Sequence, residues 1–300
     1  MKDLIISHIK DIDGVSPLIL LNVLGINYDY KLLDVYEVEA YLDELLKTDL
    51  SIYNNIYITD LTVPEASYKL INESNYKNKF KVFDHHKTHL YASNLDFVTI
   101  DINECGTTLF YNYLKTIGLK ETKVLNEYVS SVKNLDLWLF EQNKDEVAPK
   151  LGNLFDFYGV QRYITEFTKH LKEDKCFKFN EFEEKILEIL NDEEKRYIDK
   201  RELRMTVCKY GDYNVGIVFA EKYRSEIGNE LLNRNKNLDF IVIINLNGGI
   251  SLRSREVDVS VIASKFNGGG HKLAAGIGIS DEIKKDIISL IFKGEIKYED

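Results

Sequence analysis

Lys81-Val82-Phe83 reads as the end of a β-strand, and it runs without a spacer into Asp84-His85-His86-Lys87-Thr88. An acid and two imidazoles at a strand end form a compact donor set suited to a divalent cation such as Mn²⁺ or Zn²⁺. Alone the word is weak, because adjacent histidines also occur in ordinary polar turns. Three other segments add weight, since each sets carboxylates at the edge of an apolar run. Asp3-Leu4-Ile5-Ile6-Ser7 leads into His8, Asp11 and Asp13; Ile56-Tyr57-Ile58-Thr59 leads into Asp60; and Asp136 stands in Asn134-Leu135-Asp136-Leu137-Trp138. Short buried strands alternating with helical stretches predict an α/β fold, and in such a sheet the carboxyl ends of the strands are where sites form.

Taken in order, residues 3–7 read as a first strand, and apolar residues resume at Leu18 to Leu24 as a helix ending near Gly25. His8, Asp11 and Asp13 then fall on a strand-to-helix loop, where Gly14 permits a tight turn and Lys10 either meets a phosphate or stands solvated. Further strands are expected at 31–36, 55–60 and 97–100. Asp60, before the helix that Pro64 starts, reads equally as a helix cap. Gly106-Thr107-Thr108 opens a helix whose hydroxyls and amides either hold a phosphate or simply cap the helix. Leu125, Val129, Val132 and Leu135 recur at helical spacing over 122–140. Asp136 lies beside that apolar side, so it either faces water or meets a cation, because an acid buried unpaired is costly.

Residues 141–178 read as mixed and mostly helical, and 179–202 as a charged connector helix. A second α/β unit follows, with strands at 205–210, 215–220, 238–245 and 250–255 and a last one at 277–279. Between them lies Asn267-Gly268-Gly269-Gly270-His271. Its glycines either expose amides to an anion or form a Gly-rich hairpin. The organisation expected is a domain over 1–178, a helical linker over 179–203 and a smaller α/β domain over 204–300.

Composition bounds the function. A chain of 300 residues, 44% hydrophobic and 29% charged, suffices for two cores and predicts a soluble protein with no membrane span. The net charge of −10 leaves little for a basic groove along a long nucleic acid and favours short or small phosphate substrates. Cys105, Cys176 and Cys208 are widely spaced, as in the reduced thiols of a cytoplasmic protein.

His8, Asp11, Asp13, Asp60, His85 and Asp136 are enough to hold two divalent cations if one carboxylate bridges them. At this point the chain resembles the DHH phosphoesterases with a DHHA1 C-terminal domain. The words that carry the resemblance are Ser7-His8, Asp11-Ile12-Asp13-Gly14, Thr59-Asp60, Asp84-His85-His86, Leu135-Asp136-Leu137-Trp138, Ser251-Leu252-Arg253-Ser254 and Gly268-Gly269-Gly270-His271. They stand in the family's order, with one departure: His8 lies three positions before Asp11, where family members usually show two or four.

The resemblance implies a metal held by His8, Asp11 and Asp60 and a second held by Asp13, Asp60, His85 and Asp136. Mn²⁺ is the first choice, with Mg²⁺ or Co²⁺ as alternatives. Asp84 would orient His85, and His86 would touch the scissile phosphate. Arg253, Ser254, His271 and the Gly268, Gly269 and Gly270 amides would hold the substrate's other end in a cleft between the domains. The implied activity is a 3′–5′ exonuclease on short oligoribonucleotides that releases nucleoside 5′-monophosphates and also acts on 3′-phosphoadenosine 5′-phosphate, in a chain able to pair as a homodimer. The alternatives are a cyclic-dinucleotide phosphodiesterase and, in another class, a non-catalytic nucleotide-binding module.

Overall fold

The computed structural model describes residues 2–173 and 175–293. The chain divides into two compact units after Leu187. The first unit begins with β1 (Lys2–His8), α1 (Ile12–Leu24), β2 (Tyr28–Leu33), α2 (Val38–Leu45), β3 (Tyr53–Thr59) and α3 (Glu65–Glu73). It continues through β4 (Phe80–Asp84), β5 (Val98–Ile100), α4 (Gly106–Thr116), α5 (Lys123–Asp136), α6 (Phe140–Asn143), α7 (Val147–Tyr158) and α8 (Val160–Glu173). Helix α9 (Glu181–Glu202) carries the division within its length: Leu187 joins the first unit's core, whereas Ile198 joins a core of the second.

The five strands form one parallel sheet in the order β2-β1-β3-β4-β5. Strand alternation divides its two faces. Ile5 and Tyr57 point into a core built with α1, α4, α5, α7 and α8, while Leu4, Ile6, Ile56 and Ile58 point into a core shared with α2 and α3. The chain order reverses at β1, so β1 and β3 flank the switch point of the sheet, the place where sites form at the strands' carboxyl ends.

Helix α1 starts earlier than its apolar spacing predicts. Its first residue is Ile12, not a residue near Leu18, and Asp11 is its N-cap, accepting the Gly14 amide at 2.9 Å. Gly14 and Pro17 make the opening turns weak helix formers, and the cap and complete burial override that weakness. Pro17 has no N–H to give the Asp13 carbonyl, and the Thr107 hydroxyl takes that carbonyl instead, at 2.8 Å.

The second unit contains β6 (Thr206–Tyr210), β7 (Tyr213–Phe219), α10 (Arg224–Arg234), β8 (Phe240–Asn245), β9 (Gly249–Ser254), α11 (Val259–Ser264), β10 (Gly269–His271), β11 (Ala274–Ile277) and α12 (Asp281–Ile291). Its six-stranded sheet has the order β10-β11-β9-β8-β7-β6, and only β7 and β8 run parallel. Ile227 and Leu231 of α10 cover one face, and Val259 and Ile262 of α11 pack on the other. The strand expected at 277–279 instead begins at Ala274 and ends at Ile277, because Ala274–Ile277 pairs with both β9 and β10. No helix of the described residues is long and apolar enough to cross a membrane.

Candidate metal centre

The centre is assembled from strand ends. His8 closes β1, Asp11 caps α1, and Asp13 sits in that helix's first turn. Gly14 is required here, since a Cβ would lie 2.2 Å from the His8 carbonyl oxygen. The Ser7 hydroxyl joins the Gly14 carbonyl to the Thr59 hydroxyl and so ties β1, α1 and β3 together. Asp60 follows β3 in a left-handed conformation, φ 51°, that a non-glycine residue adopts at a cost. Its amide donates to the Phe83 carbonyl at 3.0 Å, which fixes it beside the end of β4.

The side chains converge in two groups. His8 Nδ1 lies 2.8 Å from Asp11 Oδ2 and 3.5 Å from Asp60 Oδ2. His85 Nε2 lies 3.2 Å from Asp60 Oδ1 and 3.9 Å from Asp13 Oδ2, and its Nδ1 is 3.6 Å from Asp136 Oδ2. Within His8–Asp11–Asp60, and again within Asp13–His85–Asp136, one ligand atom per residue comes within 4.8 Å of the others. All six residues expected as ligands therefore meet, the three-residue spacing of His8 and Asp11 included. Asp60 is no helix cap: α3 begins at Glu65, and the Asp60 carboxylate stands between the two groups.

Electrostatics make this an incomplete site. Burial, then the Asp60 and Asp136 charges, push Asp13 well above the carboxylate range. Asp136 is raised too, by burial and by Asp60, against the opposing pull of His85. The hydrogen bond to Asp11, with the Asp60 carboxylate close by, lifts His8 to about 10. Burial opposes the charging of His85, but the Asp60 hydrogen bond and the Asp136 and Asp13 charges outweigh it and raise His85 to about 9. Asp60 Oδ2 is buried without a hydrogen-bond donor. Crowded carboxylates, imidazoles drawn toward protonation and an orphaned buried oxygen fit divalent cations, which His8, Asp11, Asp13, Asp60, His85 and Asp136 would hold.

Several expected contacts are corrected. The start of α4 is no phosphate site, because the Asp13 carboxylate accepts both the Gly106 and the Thr107 amides at 2.7 Å. Gly106 allows this approach, since a Cβ there would stand 2.8 Å from the Asp60 Cβ. Lys10 is paired with Asp34. Asp84 does not orient His85. Its Oδ1 lies 2.7 Å from His86 Nδ1, and its Oδ2 is bonded to His89 Nδ1, a residue the sequence reading passed over. Burial opposes ionisation of Asp84, but these two imidazoles outweigh it and hold the carboxyl well below its ordinary range.

In the second unit, Arg253, Ala274 and His271 pair across β9, β11 and β10, so Arg253 and His271 share one face with a small residue between them. Arg253 packs over Gly228 of α10, and its Nη2 donates to the Ser225 hydroxyl at 3.0 Å, a partner also missed in the sequence. Ser254 is a structural residue rather than a substrate contact: its buried hydroxyl donates to the Asp239 carbonyl and accepts the Glu256 and Val257 amides. The glycines form a hairpin arm. The Gly268 amide donates to the Ala263 carbonyl at 2.9 Å, and Gly269 and Gly270 pair with Gly276 and Ala275. The backbone approach is close enough that a Cβ on Gly268 would lie 2.2 Å from the Gly276 carbonyl oxygen.

The fold and centre define an α/β protein with carboxylates and imidazoles gathered at the switch point of a parallel sheet. Residues 218–296 match the DHHA1 domain. It is 33% identical over 249 residues to oligoribonuclease NrnB of Bacillus subtilis, a match covering 79% of this chain and 62% of that protein. A 3′,5′-cyclic-nucleotide phosphodiesterase of Helicobacter pylori is 26% identical and is matched over 90% of this chain and 91% of its own. The chain thus spans about three-fifths of NrnB and nearly all of the Helicobacter protein. The structure of the pGpG-specific phosphodiesterase PggH from Vibrio cholerae shares the fold, with TM-score 0.58 and 14% identity over 98% of each chain.

Proposed function

We propose that the chain is a two-metal phosphodiesterase that shortens oligoribonucleotides of a few residues from the 3′ end, releasing nucleoside 5′-monophosphates. The observation that carries this reading is Asp60, strained, half-orphaned and shared between His8–Asp11 on one side and Asp13–His85–Asp136 on the other. When bound, the two cations, Mn²⁺ by preference, supply an activated water and neutralise the phosphoryl oxygens. The protein's own residues do the rest. His86, 43% exposed and held by Asp84, orients toward the scissile phosphate. Trp138, 49% exposed and two residues beyond Asp136, offers an aromatic face on which a base can stack. Arg253 and His271 are the second unit's own substrate-binding residues.

The names of the Bacillus and Helicobacter relatives favour nucleotide phosphodiesters and divide between oligoribonucleotides and a cyclic substrate. The test is product analysis with Mn²⁺ on a labelled RNA 2–5-mer, a cyclic dinucleotide and 3′-phosphoadenosine 5′-phosphate in parallel. Stepwise loss of 3′ nucleotides supports the oligoribonuclease reading, and preferential opening of the cyclic compound replaces it. Binding without turnover of any substrate, unaffected by EDTA, overturns the enzyme reading altogether.

A further inference from the structure

We infer that His89 is a positioning residue that fixes the Asp84 carboxylate and, through it, the ring of His86. The inference rests on the phosphodiesterase reading above and adds to it a residue that neither touches the metal ligands nor meets the substrate.

The geometry is closed on the inner side. His89 is only 2% exposed, although it lies five residues after Asp84 in a 3-10 turn spanning Lys87–Ala92. Its amide donates to the His86 carbonyl at 3.0 Å, so the same turn that carries His86 also carries its support. The His89 ring meets Tyr68 of α3 and Tyr91 edge-on, with centroids 6.5 and 6.1 Å away and interplanar angles of 82° and 80°. Tyr91 is itself anchored by donating to the Val63 carbonyl at 3.0 Å. These contacts leave the imidazole one direction in which to present Nδ1, and there it meets Asp84 Oδ2.

Asp84 is completely buried, and each of its oxygens has an imidazole partner, His89 inside and His86 outside. A carboxylate gripped at both oxygens cannot turn about its own axis. The Nδ1 edge of His86 is then fixed, and with it the ring, which shares a group of ligand atoms with Asp60 and His85. Without His89, a buried carboxylate oxygen would have no donor, a state native structures avoid by rearranging or admitting water. His86 would keep its partner but lose its aim. Asp84, His86 and His89 also have the composition of a metal group, one of four among the described residues, with Asp60, His85 and His86 as another. Their facing atoms are already matched as hydrogen-bond donors and acceptors, which favours an orienting chain of the kind that holds a catalytic imidazole in place.

The experiment uses the full chain with His89→Ala and His89→Asn, the second because its side-chain N–H reproduces the position of Nδ1–H. Steady-state hydrolysis of bis(p-nitrophenyl) phosphate is measured with Mn²⁺, alongside Mn²⁺ binding by calorimetry. His89→Ala should lower kcat by about 10- to 100-fold, the effect of losing an outer partner of a site residue, with KM and Mn²⁺ affinity within about twofold of wild type. His89→Asn should recover most of the lost kcat.

Unchanged kcat in His89→Ala overturns the inference. So does loss of Mn²⁺ binding, which would place His89 in the metal framework, or equal loss in both variants, which would leave only packing. If the wild type hydrolyses no phosphodiester, the functional reading has failed on its own. The positioning role is then decided by NMR of the Mg²⁺-loaded protein. A solvent-protected His86 Nδ1–H signal should be present in wild type and His89→Asn and absent in His89→Ala, and its persistence in His89→Ala overturns the inference.

Discussion

Asp13 and Asp84 are both buried carboxylates at the carboxyl ends of the same sheet, and their surroundings drive them in opposite directions. Asp84 lies between two imidazoles and is held ionised, its pKa depressed despite burial. Asp13 has the amides at the start of α4, but burial and the facing Asp60 and Asp136 charges raise its pKa. Asp84 is therefore complete within the protein and serves to orient its neighbours. Asp13 belongs to a group short of positive charge, which a bound cation would complete.

The sharpest break of this contrast is Asp60→Ala. It removes the carboxylate that lies against both His8 and His85, and turnover should fall by more than the roughly 100-fold that an outer partner of a ligand can carry. Titration with Mn²⁺ should show that both ions bind more weakly. Near-normal activity would mean that the two groups act independently.

The second test compares stability without metal. In EDTA, Asp84→Asn leaves the buried His89 without its anion and should cost about 3–5 kcal/mol in urea unfolding. Asp136→Asn removes one of the crowded charges and should be neutral or stabilising in EDTA while weakening Mn²⁺ binding. Equal losses in the two variants would erase the distinction between a completed and an uncompleted carboxylate.

Next is Gly106→Ala. Its Cβ would press on Asp60 and stand 3.1 Å from Asp13 Oδ2, and overpacking of this kind costs about 1–3 kcal/mol. Mn²⁺ affinity should fall together with thermal stability. A folded variant with unchanged affinity would show that the start of α4 is not part of the site.

The smallest effect is in pH dependence. His8 and His85 are raised to about 10 and about 9 in the folded chain. The stability they contribute is full below their unfolded value of about 6.5 and is lost as pH rises through those folded values. Asp84 is depressed, so its contribution is present above about 3.9 and lost as pH falls through its folded value. The metal-free protein should therefore lose Tm from about pH 6.5 upward, and the metal-loaded protein, whose imidazoles are already deprotonated, should lose less. Mn²⁺ uptake near neutral pH should release protons, seen as a buffer-dependent calorimetric heat. A metal-free Tm that is flat over this range would contradict the assignment.

Strand ends made much of the site legible. His8, Asp60 and His85 each follow an apolar run, and in a parallel sheet those ends lie together whatever the intervening helices do. Alternation explains the misread partner of Asp84. Successive side chains at a strand end point to opposite sides, so Asp84 meets His86, two residues on, rather than its neighbour His85. Three histidines within five residues, at 85, 86 and 89, were the available signal for His89. The anion at the start of α4 was not legible, because Asp13 arrives from 93 residues away. Local pattern also could not distinguish amides exposed to a ligand from glycines that let two backbones touch. At Gly268 the structure shows the second.

The central claim is that Asp60 joins two metal sites, and anomalous diffraction at the manganese edge from Mn²⁺-soaked crystals tests it directly. The account predicts two peaks per chain, one ligated by His8, Asp11 and Asp60 and the other by Asp13, His85, Asp136 and the same Asp60. A single peak, or a peak held by Asp84, His86 and His89 in place of either, would contradict it.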